Sequence, residues 1–76
     1  MIKAVPLPHL HTAEDLTDVC DRCGANAKLH VALPDGRTLA FCGHHANRYA
    51  AQIVPLAAHL VLETGFAWRG LDSVEK

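Results

Sequence analysis

No stretch of this 76-residue chain approaches the roughly 20 apolar residues of a membrane span. Its first eight residues, Met1 to Pro8, carry two prolines and no apolar segment suited to a signal peptide. A basic excess is missing too. Seven Lys and Arg are set against eight Asp and Glu, giving a net charge of −1. That argues against a dedicated nucleic-acid binder, whose affinity comes mostly from neutralised phosphates. There is no low-complexity run or charge block of the kind that marks a long disordered tail. An even cysteine count is lacking as well: three thiols cannot all pair within one chain. With no secretion signal, the expected compartment is a reducing cytoplasm, where clustered thiols more often hold metal than form disulfides. Finally, there is little chain. A domain of this size buries only about 60% of its unfolded surface, so its core needs help from a metal, a disulfide or a second copy.

The elements can be read in order. Residues 1–11 read as an extended arm, because Pro6 and Pro8 push their predecessors out of helical geometry. Thr12 followed by Ala13-Glu14-Asp15 resembles a capping box and predicts a short helix over about 13–18. Cys20-Asp21-Arg22-Cys23-Gly24 is a tight knuckle. Leu29, Val31 and Leu33 then alternate with polar positions up to Pro34-Asp35-Gly36, a turn, and Leu39 and Phe41 alternate beyond it. This predicts a two-stranded antiparallel hairpin, which is barely stable without a neighbour. From Ala46, apolar residues recur at Tyr49, Ala50, Ile53, Val54, Ala57, Leu60 and Val61. Arg48, Gln52, Pro55, His59 and Glu63 form the opposite stripe. The period predicts one long helix over about 44–64, bent at Pro55 and ended by Gly65. Two helices divided just before Pro55 are the alternative. The whole is one domain, 1–76: an arm over 1–11, a core over 12–64 and a tail over 65–76.

The chemistry lies in Cys-x2-Cys-x18-Cys-x2-His. Cys20, Cys23, Cys42 and His45 are the expected ligands of one structural Zn2+, with His44 as the alternative fourth. Zinc takes four thiolate or imidazole donors at tetrahedral corners. The knuckle presents two, the hairpin returns the chain, and the second pair falls at a helix start, whose dipole favours thiolate. Knuckle, hairpin and helix in this order give a small α+β, treble-clef-like zinc domain. A redox Cys-x-x-Cys would need a thioredoxin-like pattern that is absent, and an iron–sulfur cluster normally wants four cysteines. His9 and His11 could supply a ligand from the arm, but isolated histidines in a proline-rich arm are more often solvated; His30 and His59, on polar faces, are read as surface residues. Metal binding to such a site contributes on the order of 10 kcal/mol, more than a core this size supplies alone.

Cys20-Asp21-Arg22-Cys23-Gly24-Ala25, a hairpin, then Phe41-Cys42-Gly43-His44-His45-Ala46 resembles a family of small uncharacterised proteins from actinobacteria and their phages. The likeness covers about residues 16–50; the arm and the C-terminal third are not part of it. It implies zinc binding, a cytoplasmic and phage-encoded or actinobacterial origin, and no reaction, since the family has no assigned activity.

Enzyme chemistry is not expected. Three thiolates and an imidazole would fill a zinc ion's four positions, whereas a catalytic zinc keeps one open. No His-x-Glu precedes a Cys-x-x-Cys, as zinc deaminases require, and no acid–histidine pair is present to build a nuclease. The leading expectation is a protein-interaction adaptor or regulator, directed at a host machine or at a second copy of itself as a homodimer. The helix's apolar arc exceeds what the hairpin covers, Leu62 falls on its polar side and Trp68 lies beyond it. Leu56, Leu62, Trp68 and Arg69 are therefore the expected partner-binding residues, unless the arm from Val5 to Leu10 folds over the apolar face. The alternative is a nucleic-acid-binding zinc-finger module using Arg22, Lys28, Arg37 and Arg48.

Overall fold

A computed structural model describes residues 8–71. Along the chain run β1 (His9–Ala13), β2 (Leu29–Ala32), β3 (Thr38–Phe41), α1 (Gly43–Arg48), α2 (Ala50–Leu56) and β4 (His59–Glu63). The four strands form one sheet in the order β1-β4-β2-β3. β1 runs parallel to β4; the other two pairs are antiparallel. The fold is a small α+β domain.

The hairpin follows from the alternation. Leu29 pairs with Phe41 and Val31 with Leu39, so the apolar side chains share one face. At the turn Gly36 adopts φ +94°, and its amide donates to the Leu33 carbonyl at 3.0 Å. The Asp35 carboxylate accepts from the Arg37 amide at 3.0 Å. Leu29 and Val31 are fully buried, with Leu60 and Leu62 of β4 beside them on the same face. Ala46, Ala50 and Ile53 of the helices pack over these residues and complete the core together with Trp68.

Neither expected helix forms as read, and each gives up residues to a strand. The segment 44–64 does not run as one helix. Tyr49 leaves helical geometry at φ −104°, ψ 15°, between α1 and α2, so the break precedes Pro55 by six residues. Pro55 sits in the last turn of α2, where it has no N–H to offer the Ala51 carbonyl, and the helix ends one residue later. Ala57 is extended and β4 follows. The apolar residues of 59–63 fit a two-residue period as well as a helical one, because Leu60 and Leu62 alternate with His59, Val61 and Glu63. Pairing with β2 on one side and β1 on the other satisfies the backbone along both edges and decides the outcome. Leu62, expected outside, is only 3% exposed.

The capping box over 12–15 does not start a helix. Thr12 and Ala13 belong to β1, and the Ala13 carbonyl accepts from the Thr64 amide at 2.8 Å and from its hydroxyl at 3.1 Å. The arm's His9–His11 is extended as expected, but it is paired rather than free, and Leu10 packs against the core. The remainder of the arm, residues 1–7, and the last five residues of the tail lie outside the described residues. The beginning of the tail folds back. Gly65, at φ +89°, turns the chain after β4. Trp68 is then buried to 3% exposure, with its indole Nε1 donating to the Ala46 carbonyl at 2.8 Å. Among the described residues no helix is long and apolar enough to cross a membrane.

Candidate metal centre

The knuckle is held by its own backbone. The Cys20 amide donates to the Ala25 carbonyl at 2.7 Å, and the Gly24 amide to the Cys20 carbonyl at 2.8 Å. Gly24 closes the loop at φ +80°, a conformation that favours glycine. Asp21 clamps the knuckle to the free edge of β3: its amide donates to the Ala40 carbonyl at 2.8 Å, and its carboxylate accepts from the Ala40 amide at 2.7 Å. That edge delivers Cys42 directly after β3. Cys42 is the N-cap of α1, and its Sγ accepts from the His45 amide at 3.5 Å. One turn of helix then brings His45 back over the sulfurs.

Cys20, Cys23, Cys42 and His45 present four donor atoms that all lie within 4.8 Å of one another. Cys23 Sγ lies 3.7 Å from Cys42 Sγ, and His45 Nδ1 lies 3.5 Å from Cys20 Sγ and 3.4 Å from Cys42 Sγ. These separations match the edges of a tetrahedron. Bonds of about 2.3 Å to sulfur and 2.0–2.1 Å to nitrogen imply S–S edges of about 3.8 Å and S–N edges of about 3.6 Å. The four residues therefore fit one metal ion. The donor nitrogen is Nδ1. His44 is exposed and lies edge-on to the His45 ring, with centroids 5.0 Å apart.

The electrostatics suit a cation. Burial pushes the Cys20 thiol up, but amides of Cys42, Arg22 and Cys23 aimed at its sulfur bring it down to about 6. The Ala25 amide draws Cys23 down, yet burial and the neighbouring Cys20 and Cys42 sulfurs outweigh it and leave that thiol raised. Without an ion the sulfurs thus compete for negative charge; a divalent cation removes the competition. All three cysteines are free of disulfides.

Several residues that the sequence did not single out hold this centre. Tyr49 stacks on His45, with centroids 6.0 Å apart and planes 9° from parallel. Asp21 fixes the knuckle. Phe66 lies against Gly43, where a β-carbon would come within 3.3 Å of its ring. Asn47 accepts from the Arg69 amide at 2.7 Å through its side-chain oxygen. The double role of Asp21, as donor and acceptor to one residue, leaves no signal in a linear pattern.

The other expected site residues are dispersed. Leu62 and Trp68 are core, so neither faces a partner; β4 and the Trp68–Ala46 hydrogen bond account for both. Leu56 is 61% exposed, and Arg69 is exposed. The four basic residues do not pool. Lys28 is paired with Glu63 and Arg37 with Asp35, while Arg22 and Arg48 flank Tyr49 at 5.4 and 5.9 Å from the ring centroid.

The fold and donor set together define a small α+β domain built around a Cys3His cluster able to hold a metal. The chain belongs to the family described as Domain of unknown function (DUF7455), which matches residues 14–67. None of the curated proteins and none of the solved structures searched matches it.

Proposed function

We propose that this chain is a structural-zinc module that acts without catalysing a reaction, as an adaptor or regulator that binds a protein partner. The donor set and its tetrahedral spacing favour Zn2+. Knuckle, hairpin and helix start follow one another in treble-clef order. Four protein donors leave no coordination position for water or substrate, and that supports a structural role. Three free thiols suit a reducing cytoplasm, and the knuckle resemblance supports a phage or actinobacterial source.

One observation carries the partner reading. A groove of about 300 Å³ opens between the hairpin and α2, next to the metal centre. Leu33, Leu39, Phe41, Tyr49, Ile53 and Leu56 line it, and Asp21 and Arg22 are among its polar lining residues. Leu39 and Leu56, 38% and 61% exposed, flank it. Contiguous exposed apolar surface on a chain this small marks an interface. Leu56→Glu is the test: it should abolish self-association in sedimentation, or capture of a partner, while zinc content stays at one per chain. Association that survives Leu56→Glu combined with Leu39→Glu would sink the reading.

Nucleic-acid binding is the second reading, favoured by Arg22 and Arg48, which both lie near the Tyr49 ring. The pairing of Lys28 and Arg37 weighs against it. A steep fall of affinity with salt would identify it.

A further inference from the structure

The face of the sheet opposite the helices carries imidazoles. Along β1, His9 and His11 are two residues apart and so point the same way. In the parallel register His9 stands beside His59 of β4. The His59 ring is stacked with both: 5.0 Å from His9 at 23° between planes, and 5.7 Å from His11 at 22°. All three residues are exposed. Among the described residues no hydrogen bond or ion pair engages these three rings, whereas His30 of β2 lies 3.9 Å from an Asp18 carboxylate oxygen.

We propose that His9, His11 and His59 form a second metal site, which takes one first-row divalent transition-metal ion (Ni2+, Cu2+ or Zn2+) through imidazole nitrogen. Neutral imidazole suits these ions, whereas Mg2+ and Ca2+ prefer oxygen. The spacing of His59 to each of the other two is right. Two imidazoles on one tetrahedral ion, with bonds of about 2.0–2.1 Å, hold their ring centroids about 5 Å apart. The rings lie face to face here, so binding turns their edges together. All three are exposed among the described residues, which leaves room for that rotation, and the stacking is given up.

The two centres differ in kind. Three thiolates and an imidazole close the first. Three imidazoles leave the second open to water or to an incoming side chain, so its ion exchanges. It also joins two strands. His9 and His11 precede residue 14, where the family match begins, while His59 lies within it. An ion held by all three therefore staples β1, at the edge of the sheet, to β4.

The test is a Ni2+ titration of the tag-free, zinc-loaded full chain, read by native mass spectrometry, where nickel and zinc differ in mass. The expected species carries one zinc and one nickel. His11→Gln and His59→Gln should each weaken nickel binding ~10-fold or more, since losing even an outer-shell partner costs that much, with zinc retained. No bound nickel in the wild type overturns the proposal. So does nickel unchanged in the His9→Gln/His11→Gln/His59→Gln variant, which would place it on His30 or His44. Should the variants lose zinc, Cu2+ broadening of backbone amide signals in the wild-type chain decides. Broadening centred on β1 and β4 supports the site; broadening elsewhere, or none, overturns it.

Discussion

Two halves of this small domain reach their structure by different routes. From Cys20 to His45 the interactions that shape the knuckle and its hairpin are local or bridge that hairpin: knuckle hydrogen bonds, a turn glycine, strand alternation and a helix cap. From Ala50 to Leu71 the outcome depends on distant partners. β4 pairs with residues about 50 positions earlier in β1 and about 30 earlier in β2, and Trp68 bonds back to Ala46. The first half is specified by spacing and the second by packing. A cluster able to hold a metal closes the first half; buried leucines and an indole hold the second.

The largest effect that tests this contrast is removal of the ion. Chelation, or Cys42→Ser, should leave a chain without cooperative thermal unfolding. Zinc binding is worth on the order of 10 kcal/mol in sites of this type, against total stabilities of about 5–15 kcal/mol for whole domains. Circular dichroism melts with and without chelator check this. A sharp, unchanged transition would show that the second half folds alone, and would reverse the dependence argued here.

Next comes β4. Leu60→Ala and Leu62→Ala should each cost about 2–5 kcal/mol, because both side chains are at or near zero exposure. Zinc should stay bound wherever the domain remains folded. The Leu62 variant is the sharper one, since a helix running through Pro55 would have placed that side chain in solvent. Neutrality in denaturant melts would restore the helix and remove the strand. Trp68→Phe comes third. It keeps most of the buried surface but strips the Ala46 carbonyl of its donor, at about 1–3 kcal/mol.

Legibility in the sequence follows the same division. The candidate ligand quartet and the hairpin could be read because a metal site and a three-residue turn impose fixed spacings on neighbouring residues. The α+β class followed from them. The C-terminal strand could not be read in this way. Leu60 and Val61 continue the helical phase of Ile53 and Ala57, and the competing alternation of Leu60 with Leu62 spans too few residues to outweigh it. The choice is made by β1, whose own residues looked like a capping box and a proline-bound arm. Placing Trp68 as an exposed anchor was an error of the same origin: with β4 drawn as helix, nothing remained for the indole to pack against. Asp21 and Tyr49 leave no linear signal because their work lies across a sheet edge and over a ring face.

The smallest effect lies where the halves meet. Glu63, at the end of β4, accepts from Lys28 Nζ just before β2, and more weakly from the Leu16 amide at 3.4 Å. The Lys28 hydrogen bond, then the Leu16 amide, hold the Glu63 carboxyl below its ordinary value of 4.5. A depressed folded-state value means that the clasp contributes fully above 4.5, the unfolded value, and is lost as pH falls through the folded one. Both partners reach solvent, so the loss should be modest. Glu63→Gln should therefore differ from wild type at neutral pH and converge on it in acid. Asp35, lowered mainly by the Arg37 amide, titrates in the same window, but it is common to both proteins and cancels in the difference. Denaturant melts across pH 3–7, compared only where zinc content is equal, give that difference curve. A flat curve would mean that the two halves are joined by the sheet's backbone ladder alone, with the ion pair contributing nothing to the seam.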